Sequence, residues 1–270
     1  MRIADNNGVT LYSFESPAFE SVTTFVTTRH NSYGNAQLYG NFNLGLYCGD
    51  DTDCVEANLQ QLCTALGIAR AQLYYPHQVH GHRVLVIDSD FVALPHNEQL
   101  ATLDGVDAII TNVPNIAIAV TTADCVPVVL YDPVHRAIAA IHAGWRGTAQ
   151  EIVRHTIEHM RQQFGTQPEH IHAGIGPCIG MEAYEVGDEV IDAMRNGGFD
   201  IDGISIRNTQ SGKIHLDLAV ANVDLLLRCG VDLMNVEVCG ICTHRNSRDF
   251  YSVRALGNTT GRFLTGVMMK

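Results

Sequence analysis

The chain has 270 residues, of which 46% are hydrophobic and 17% charged, with a formal net charge of -12. This composition is sufficient for a globular core. The negative charge argues against nucleic acid, because phosphate backbones are bound by neutralising Lys and Arg. No apolar stretch approaches the roughly 20 residues that span a bilayer, and the amino terminus does not resemble a secretion signal. We therefore expect a cytoplasmic monomer that acts on a small molecule.

The predicted elements follow one another in irregular order. Apolar runs predict strands at Val22–Thr28, Val84–Ile87, Ala108–Thr111, Ile116–Thr121, Val126–Tyr131, Arg136–Ile141, His170–Ile175 and Asn235–Val238. Amphipathic repeats predict helices that begin near Asp53, Thr148, Gly187 and Asp217. No linker or repeat divides the chain, so we expect a single domain over residues 1–270, with a mixed sheet or a sandwich and helices outside.

The segment His142-Ala143-Gly144-Trp145-Arg146-Gly147-Thr148 follows a predicted buried strand. A helix is predicted from Thr148 to Phe164, and the Thr148 hydroxyl is suited to cap it. A helix amino terminus offers unpaired N–H groups to an anion, and Arg146 adds a full charge. The alternative interpretation is that the glycines only permit a tight turn while Trp145 fills the core.

Three segments carry side chains that suit a metal ion: Gln78-Val79-His80-Gly81-His82, Thr121-Thr122-Ala123-Asp124-Cys125, and the His142 segment. Two imidazoles and a thiolate suit zinc, and three protein ligands leave one position open for water or substrate. Spacing does not choose among the histidines, since His77 and His82 flank His80. Each residue also has an ordinary structural interpretation, as a small buried side chain or a turn residue.

The eight cysteines do not form the framework of a small secreted domain, so we expect most of them to be reduced and buried. Cys239-Gly240-Ile241-Cys242 with His244 resembles half a zinc knuckle or a redox pair. No second pair completes it, and buried structural cysteines are the preferred interpretation.

Taken together, the motifs resemble those of the bacterial purine nucleoside phosphorylase family, long labelled laccase-domain or multicopper polyphenol oxidase proteins. The matching segments run in the family's order across nearly the whole chain: Asn43-Leu44-Gly45, Gly49-Asp50, Gln78-Val79-His80-Gly81, Thr122-Ala123-Asp124-Cys125, His142-Ala143-Gly144-Trp145-Arg146-Gly147, Gly176-Pro177-Cys178-Ile179-Gly180, Tyr184-Glu185-Val186-Gly187, Cys242-Thr243 and Thr260-Gly261-Arg262. The segment Arg29-His30-Asn31-Ser32-Tyr33 departs from the pattern, which puts a role for Arg29 in doubt.

The resemblance implies an α+β fold with a central sandwich of mixed β-sheets flanked by helices. It implies one zinc ion bound by His80, Cys125 and His142. It also implies phosphorolysis of adenosine, inosine, guanosine and methylthioadenosine, with deamination of adenosine, so that purine nucleosides and inorganic phosphate are the partners. Asp124 is then a proton carrier or an orienting carboxylate. The residues expected to bind substrate are Asn43, Gln78, Arg146, Thr148 and Arg262.

Three other functions are compatible with parts of this pattern. A metal-free cysteine hydrolase would use Cys125 with His80 or His142 as its base. A copper polyphenol oxidase has superficial support from two H-x-H pairs, but the chain contains no H-C-H sequence to wire a copper cluster. A metal-storing or partner-binding module would keep the ion and leave the arginine-bearing turn without a role.

Overall fold

The computed structural model describes residues 1–31, 39–209 and 211–270. Ser32 and Tyr33, in the segment that departs from the family pattern, lie outside this range. The strands in the described ranges are β1 Arg2–Asn6, β2 Val9–Ser13, β3 Val22–Asn31, β4 Leu73–Tyr74, β5 Val84–Val86, β6 Ala108–Thr111, β7 Ala117–Thr122, β8 Val126–Asp132, β9 Ala137–Ala143, β10 His172–Ile175, β11 Glu185–Val186, β12 Ser205–Arg207, β13 Ile214–Leu216, β14 Val236–Val238 and β15 Phe263–Met269.

The α-helices in the same ranges are α1 Thr52–Leu66, α2 Ser89–Ala93, α3 His96–Leu103, α4 Trp145–Ala149, α5 Ile152–Phe164, α6 Asp188–Asn196, α7 Ile201–Ile204, α8 Leu218–Arg228 and α9 Val253–Leu256. Short 3-10 helices lie at Pro17–Ser21, Arg70–Gln72, Pro168–His170, Met181–Ala183 and Leu233–Asn235. Within the described ranges, no helix combines the length and the apolar character needed to cross a membrane.

Two six-stranded mixed sheets form the centre of the fold. One has the order β1-β2-β3-β15-β7-β4 and the other the order β14-β10-β8-β9-β6-β5. Their inner faces share one apolar core, in which Ile118 and Val267 of the first sheet meet Val129 and Ile138 of the second. The sheets therefore pack as a sandwich, as the resemblance implied.

Helices cover both outer faces of this sandwich. Buried side chains of α5, α6 and α8, such as Ile157, Val190 and Leu225, pack on the second sheet. Leu59 and Leu62 of α1 pack on the first. The central strands β8 and β9 of the second sheet are buried on both faces, which matches their continuous hydrophobic runs. The predicted α+β class, with mixed sheets flanked by helices, is confirmed.

The predicted helix from Thr148 to Phe164 is wrong at its start. Helix α4 begins at Trp145, with Gly144 at its cap position. A separate helix, α5, begins at Ile152 after Glu151 adopts a left-handed conformation with φ 56°. The chain therefore turns a corner between the two helices, and the capping role expected for Thr148 does not exist.

Helix α1 begins one residue before its predicted start at Asp53, and Asp51 caps it by accepting hydrogen bonds from the backbone N–H groups of Asp53 and Cys54. It ends at Leu66, and Gly67 follows in the left-handed conformation that glycine adopts readily. The predicted strand Ala108–Thr111 is confirmed without change, and most other predicted strands are shifted by one or two residues.

Strand β15 was missed by the sequence analysis, although it lies in the middle of the first sheet. It pairs with β3 on one side and β7 on the other. At its centre, a Cβ on Gly266 would lie 2.4 Å from Phe25 Cζ and 2.6 Å from the Ile118 carbonyl oxygen. A neighbouring ring fills the space that a side chain would take.

We expect Gly266→Ala to lower the free energy of unfolding by about 1–3 kcal/mol, because the added methyl group has no room in a close-packed sheet. Urea denaturation measures the effect. Gly203→Ala is the matched control, since a Cβ at this exposed position meets only the Asp200 carboxylate at 3.3 Å. Equal stability of the two variants would contradict the packing argument.

Candidate functional site

Strands β8 and β9 place Cys125 and His142 beside each other. The two strands form an antiparallel hairpin in which Val126 pairs with Ala143 and Pro127 pairs with His142. Cys125 immediately precedes β8, so the start of one strand and the end of the next bring its thiol to the imidazole. The register of the hairpin therefore brings together two residues that are far apart in the sequence.

The carboxylate of Asp107 connects residues 79–81, here called the His80 loop, to His142. It accepts hydrogen bonds from the backbone N–H groups of Val79, His80 and Gly81 at 3.3, 2.9 and 2.8 Å. It also accepts a hydrogen bond from His142 Nδ1 at 2.8 Å. The side chain of Asp107 is fully buried. Since His142 Nδ1 then carries the proton, Nε2 is the atom left for a ligand.

The Asp107 carboxylate also stabilises the backbone conformation of the His80 loop. His80 has φ 61°, a left-handed conformation that costs energy for a residue with a side chain. Three successive N–H groups on one carboxylate compensate for that cost. Asp107 thus fixes the backbone of one candidate ligand and the ring of another.

His80, Cys125 and His142 converge as expected, with one potential ligand atom from each lying within 4.8 Å of the other two. The two imidazole rings meet edge to face, with centroids 4.8 Å apart. Two nitrogens and a sulfur form a borderline-soft set that suits a divalent transition-metal ion.

Gly144 keeps the space between these three side chains open. A Cβ there would lie 3.0 Å from His80 Cδ2 and 3.2 Å from Cys125 Sγ. Its φ of -71° is an ordinary value that any residue adopts, so no backbone conformation demands glycine here. The missing side chain leaves room beside the donor atoms, and the residues fit a bound ion.

The Cys125 thiol and the His142 imidazole also stabilise each other's charged forms. Burial raises the pKa of the Cys125 thiol, but the charge of His142 and hydrogen bonds from both imidazoles outweigh burial and bring the pKa to about 6. For His142, burial lowers the pKa, while the Cys125 thiolate and Asp107 raise it to about 9. A thiolate at neutral pH suits both a metal ligand and a nucleophile.

These residues open into a cavity of about 190 Å³, lined by Gly45, Tyr47, Cys48, His77, Gln78, His80, Thr121, Thr122, Ala123, Cys125, His142, Val253 and Arg262. At about 30 Å³ per water molecule, the cavity admits a small molecule. Two of the expected substrate residues, Gln78 and Arg262, lie on its wall. Gln78 is held there by Thr121, whose N–H donates to the amide oxygen and whose carbonyl accepts from the amide nitrogen, both at 2.8 Å.

The other expected substrate residues lie elsewhere. Asn43 is fully buried, and its amide oxygen accepts hydrogen bonds from the backbone N–H groups of Gly45 and Arg262 at 3.0 and 2.7 Å. Thr148 is also fully buried, with its hydroxyl bonded to the Asn222 amide at 3.1 Å. Arg146 is exposed, and its guanidinium stacks on the Trp145 ring at 4.2 Å. Asn43 therefore shapes the cavity wall through the backbone, and direct contact of these three with substrate stays a prediction.

Asp124 adopts a strained left-handed conformation with φ 98° beside the candidate ligand Cys125. One carboxylate oxygen accepts from the Thr243 hydroxyl at 2.6 Å and the other from the Arg254 backbone N–H at 2.7 Å. Both oxygens therefore have structural partners. This arrangement favours an orienting role over proton transfer.

The neighbouring histidines do not replace His80 in the group. His77 Nδ1 lies 2.6 Å from an Asp104 carboxylate oxygen, and its ring stacks on Tyr47 with a centroid separation of 4.0 Å. His82 Nδ1 lies 2.5 Å from the Gln150 side-chain oxygen. Arg29, whose role was in doubt, donates to the Ser247 carbonyl and lies over the Tyr251 ring.

All eight cysteines are unpaired thiols, as expected, but Cys63 and Cys178 alone are buried, and the other six, including Cys239 and Cys242, are half-buried. The prediction that most are buried was therefore wrong.

Asp107 was missed altogether. Its signal in the sequence is a carboxylate directly before the buried run Ala108–Thr111, where a charge demands several partners.

We expect Asp107→Asn to weaken Zn²⁺ binding by about 10–100-fold. The carboxylate accepts hydrogen bonds from N–H groups, whereas the amide nitrogen of asparagine would place its own N–H groups against some of these donors. Competition with a chromophoric chelator measures the affinity. Asp90→Asn, at an exposed position of α2, is the control. An unchanged affinity in the Asp107 variant would remove this carboxylate from the site.

In metal-free protein at pH 7, we expect iodoacetamide to modify Cys125 about 100-fold faster than Cys63, Cys229 or Cys239, since burial raises the pKa of each of these three to about 11. The rate at Cys125 should fall as the pH drops through about 6, because protonation removes the thiolate. Peptide mass mapping identifies the modified thiols, and added Zn²⁺ should protect Cys125. Equal modification of all four would show that Cys125 is an ordinary thiol.

Comparison with known proteins gives the same family as the motifs. Residues 23–270 match the family described as multi-copper polyphenol oxidoreductase laccase. A Bacteroides thetaiotaomicron protein named purine nucleoside phosphorylase is 41% identical over 254 residues, which cover 93% of each chain. Adenosine deaminase RL5, from an unknown prokaryotic organism, is 41% identical over 93% of this chain and 95% of its own.

A solved structure extends the agreement to the fold. The crystal structure of YlmD from Geobacillus stearothermophilus is 30% identical, with a TM-score of 0.89 over 99% of this chain and 98% of that one. The family expected from the motifs is confirmed: this chain belongs to the multi-copper polyphenol oxidoreductase laccase family, which includes relatives named purine nucleoside phosphorylase.

Proposed function

We propose that this protein is a zinc-dependent purine nucleoside enzyme. It cleaves adenosine, inosine, guanosine and methylthioadenosine with inorganic phosphate to yield the base and a ribose 1-phosphate, and it deaminates adenosine. The names of the relatives support processing of purine nucleosides. The observation that carries the proposal is the convergence of His80, Cys125 and His142 around the space left by Gly144, on the wall of a cavity.

Zinc is the proposed ion because one sulfur and two imidazole nitrogens match the ligands of catalytic zinc sites. When bound, zinc supplies a Lewis acid and lowers the pKa of water. Cys125 meets the requirement for a deprotonated thiol, since its pKa of about 6 lies below neutral pH. Asp107 holds the tautomer of His142 that such a ligand needs.

The cavity wall suits a nucleoside and an anion. Tyr47 is 53% exposed and stacks on His77, so an aromatic face is available beside the cavity for a purine ring. Arg262 brings positive charge to the wall of a protein whose net charge is -12, and it is the proposed electrostatic partner for phosphate. Gln78 holds the His80 segment against β7.

Phosphorolysis requires phosphate to be held near the ribose C1′ atom and a proton to reach the departing base. His77 lines the cavity, and Asp104 engages its Nδ1, which leaves Nε2 as the nitrogen that can hold a proton for the base. Asp124 orients the Cys125 turn through Thr243 and Arg254. Direct contact of Arg146 and Thr148 with phosphate, expected from the turn that carries them, stays a prediction.

A metal-free cysteine hydrolase is the second candidate, favoured by the lowered pKa of Cys125 beside the raised pKa of His142. This ion pair is the usual form of an activated thiol nucleophile. Gly144 counts against it, because the open space lies among all three side chains and not beside the thiol alone. Metal content separates the two, since a hydrolase keeps full activity after chelation.

A copper oxidase is the candidate suggested by the family description. In the described ranges, the groups of three or more potential ligands are His80 with Cys125 and His142, and Asp132 with His135 and His170. Neither group holds the paired histidines of a trinuclear copper cluster. A single ion with an open position fits the first group better.

We expect purified protein incubated with inosine and phosphate to release hypoxanthine, detected by chromatography. Cys125→Ala should reduce this activity by more than the 10–100-fold that loss of an outer partner of a metal ligand typically costs, because a ligand itself is removed. Cys54→Ala, a half-buried thiol on α1, is the matched control. Circular dichroism checks that each variant is folded.

Full activity of folded Cys125→Ala would place the chemistry elsewhere. Absence of hypoxanthine in the parent protein, with zinc bound, would instead favour a metal-storing module.

A further inference from the structure

A second group of potential metal ligands lies at the other end of the β8–β9 hairpin. Asp132 ends β8, His135 lies in the turn that follows, and His170 ends the 3-10 helix before β10. One ligand atom from each lies within 4.8 Å of the other two. Asp132 lies seven positions after Cys125 along the extended chain, about 23 Å away, so the two groups are separate sites.

One ring nitrogen of this group has no partner among the described residues, although the Asp132 carboxylate is well paired and also accepts from the His135 backbone N–H at 3.2 Å. The Asp132 side chain is fully buried, and its carboxylate accepts from the Val134 N–H at 2.9 Å and lies 2.7 Å from His135 Nδ1. His170 Nδ1 is buried and has no hydrogen-bond partner within the described part of the chain. A buried ring nitrogen without a partner is unfavourable, and a cation bound beside it removes that penalty.

We propose that Asp132, His135 and His170 bind a second zinc ion. Two imidazoles and one carboxylate are an established zinc ligand set, and a neutral imidazole leaves one ring nitrogen free for an ion. Zinc ligands at about 2.1 Å stand roughly 3.4 Å apart, so His135 moves slightly away from Asp132 when the ion binds. The His135 side chain is 31% exposed in its turn, which permits that movement and gives an ion a path from solvent.

The proposed ion joins three pieces of chain: the end of β8, the turn before β9 and the segment that leads into β10. Strands β8 and β10 are neighbours in the second sheet. The ion therefore secures one end of the hairpin whose other end carries Cys125 and His142. Its role is structural, and it does not depend on the proposed nucleoside chemistry.

Calorimetric titration of metal-free protein with ZnCl₂ tests the second site. We expect two equivalents for the parent, one for Cys125→Ala, one for His170→Ala and none for the double variant. His96→Ala, which removes an exposed histidine at the start of α3, should keep both equivalents. Zinc should also raise the melting temperature of Cys125→Ala, because it binds only the folded state. Folded His170→Ala should retain its activity on inosine.

The proposal is overturned if Cys125→Ala binds no zinc, or if that equivalent survives in the Cys125→Ala, His170→Ala double variant. His135→Gln in the Cys125→Ala background replaces the double variant if the latter is unfolded by circular dichroism, and it should bind no zinc. If zinc does not bind at Cys125, the parent and Cys125→Ala will each take one equivalent. That result contradicts the proposed function and leaves the second site standing.

Discussion

A single buried carboxylate organises the candidate site. Asp107 accepts three successive backbone N–H groups of the His80 loop and one imidazole N–H of His142. Burial alone raises the pKa of this group, but its hydrogen bond with His142 and the charge of that ring prevail, so its pKa lies below the usual value. The charge is thus stabilised by the donors that it positions. Without it, the left-handed His80 backbone and the orientation of the His142 ring would both lose their support.

The sandwich supplies the other half of the geometry. Cys125 and His142 meet because β8 and β9 pair in one register, and every residue of both strands is buried. A one-residue slip would move all these side chains to the opposite face of the sheet, which the apolar layers on both sides forbid. Packing in the sheet therefore determines the distance between thiol and imidazole.

Sequence patterns identified the parts of this site more readily than their arrangement. The apolar runs predicted most central strands, and the family motifs selected His80 over His77 and His82. The end of a helical pattern is harder to locate: Trp145 to Ala149 and Ile152 to Phe164 form separate helices because Glu151 turns left-handed. Asp107 escaped notice because three of its four hydrogen-bond partners are backbone N–H groups, which no pattern of side chains reveals, and the fourth, His142, lies 35 residues away in the sequence. Thr148 has the residue type of a helix cap, but tertiary packing buries it against Asn222.

The hairpin register, the Asp107 carboxylate and the missing side chain at Gly144 together bring the three donor atoms within 4.8 Å of one another. A trio of two nitrogens and one sulfur follows the intrinsic order of affinities among divalent ions, in which copper exceeds zinc. The choice between these metals at the proposed site then depends on how much of each ion surrounds the protein. Metal analysis of purified protein, as a test of the proposed site, therefore reports on growth conditions as well as on the ligand set.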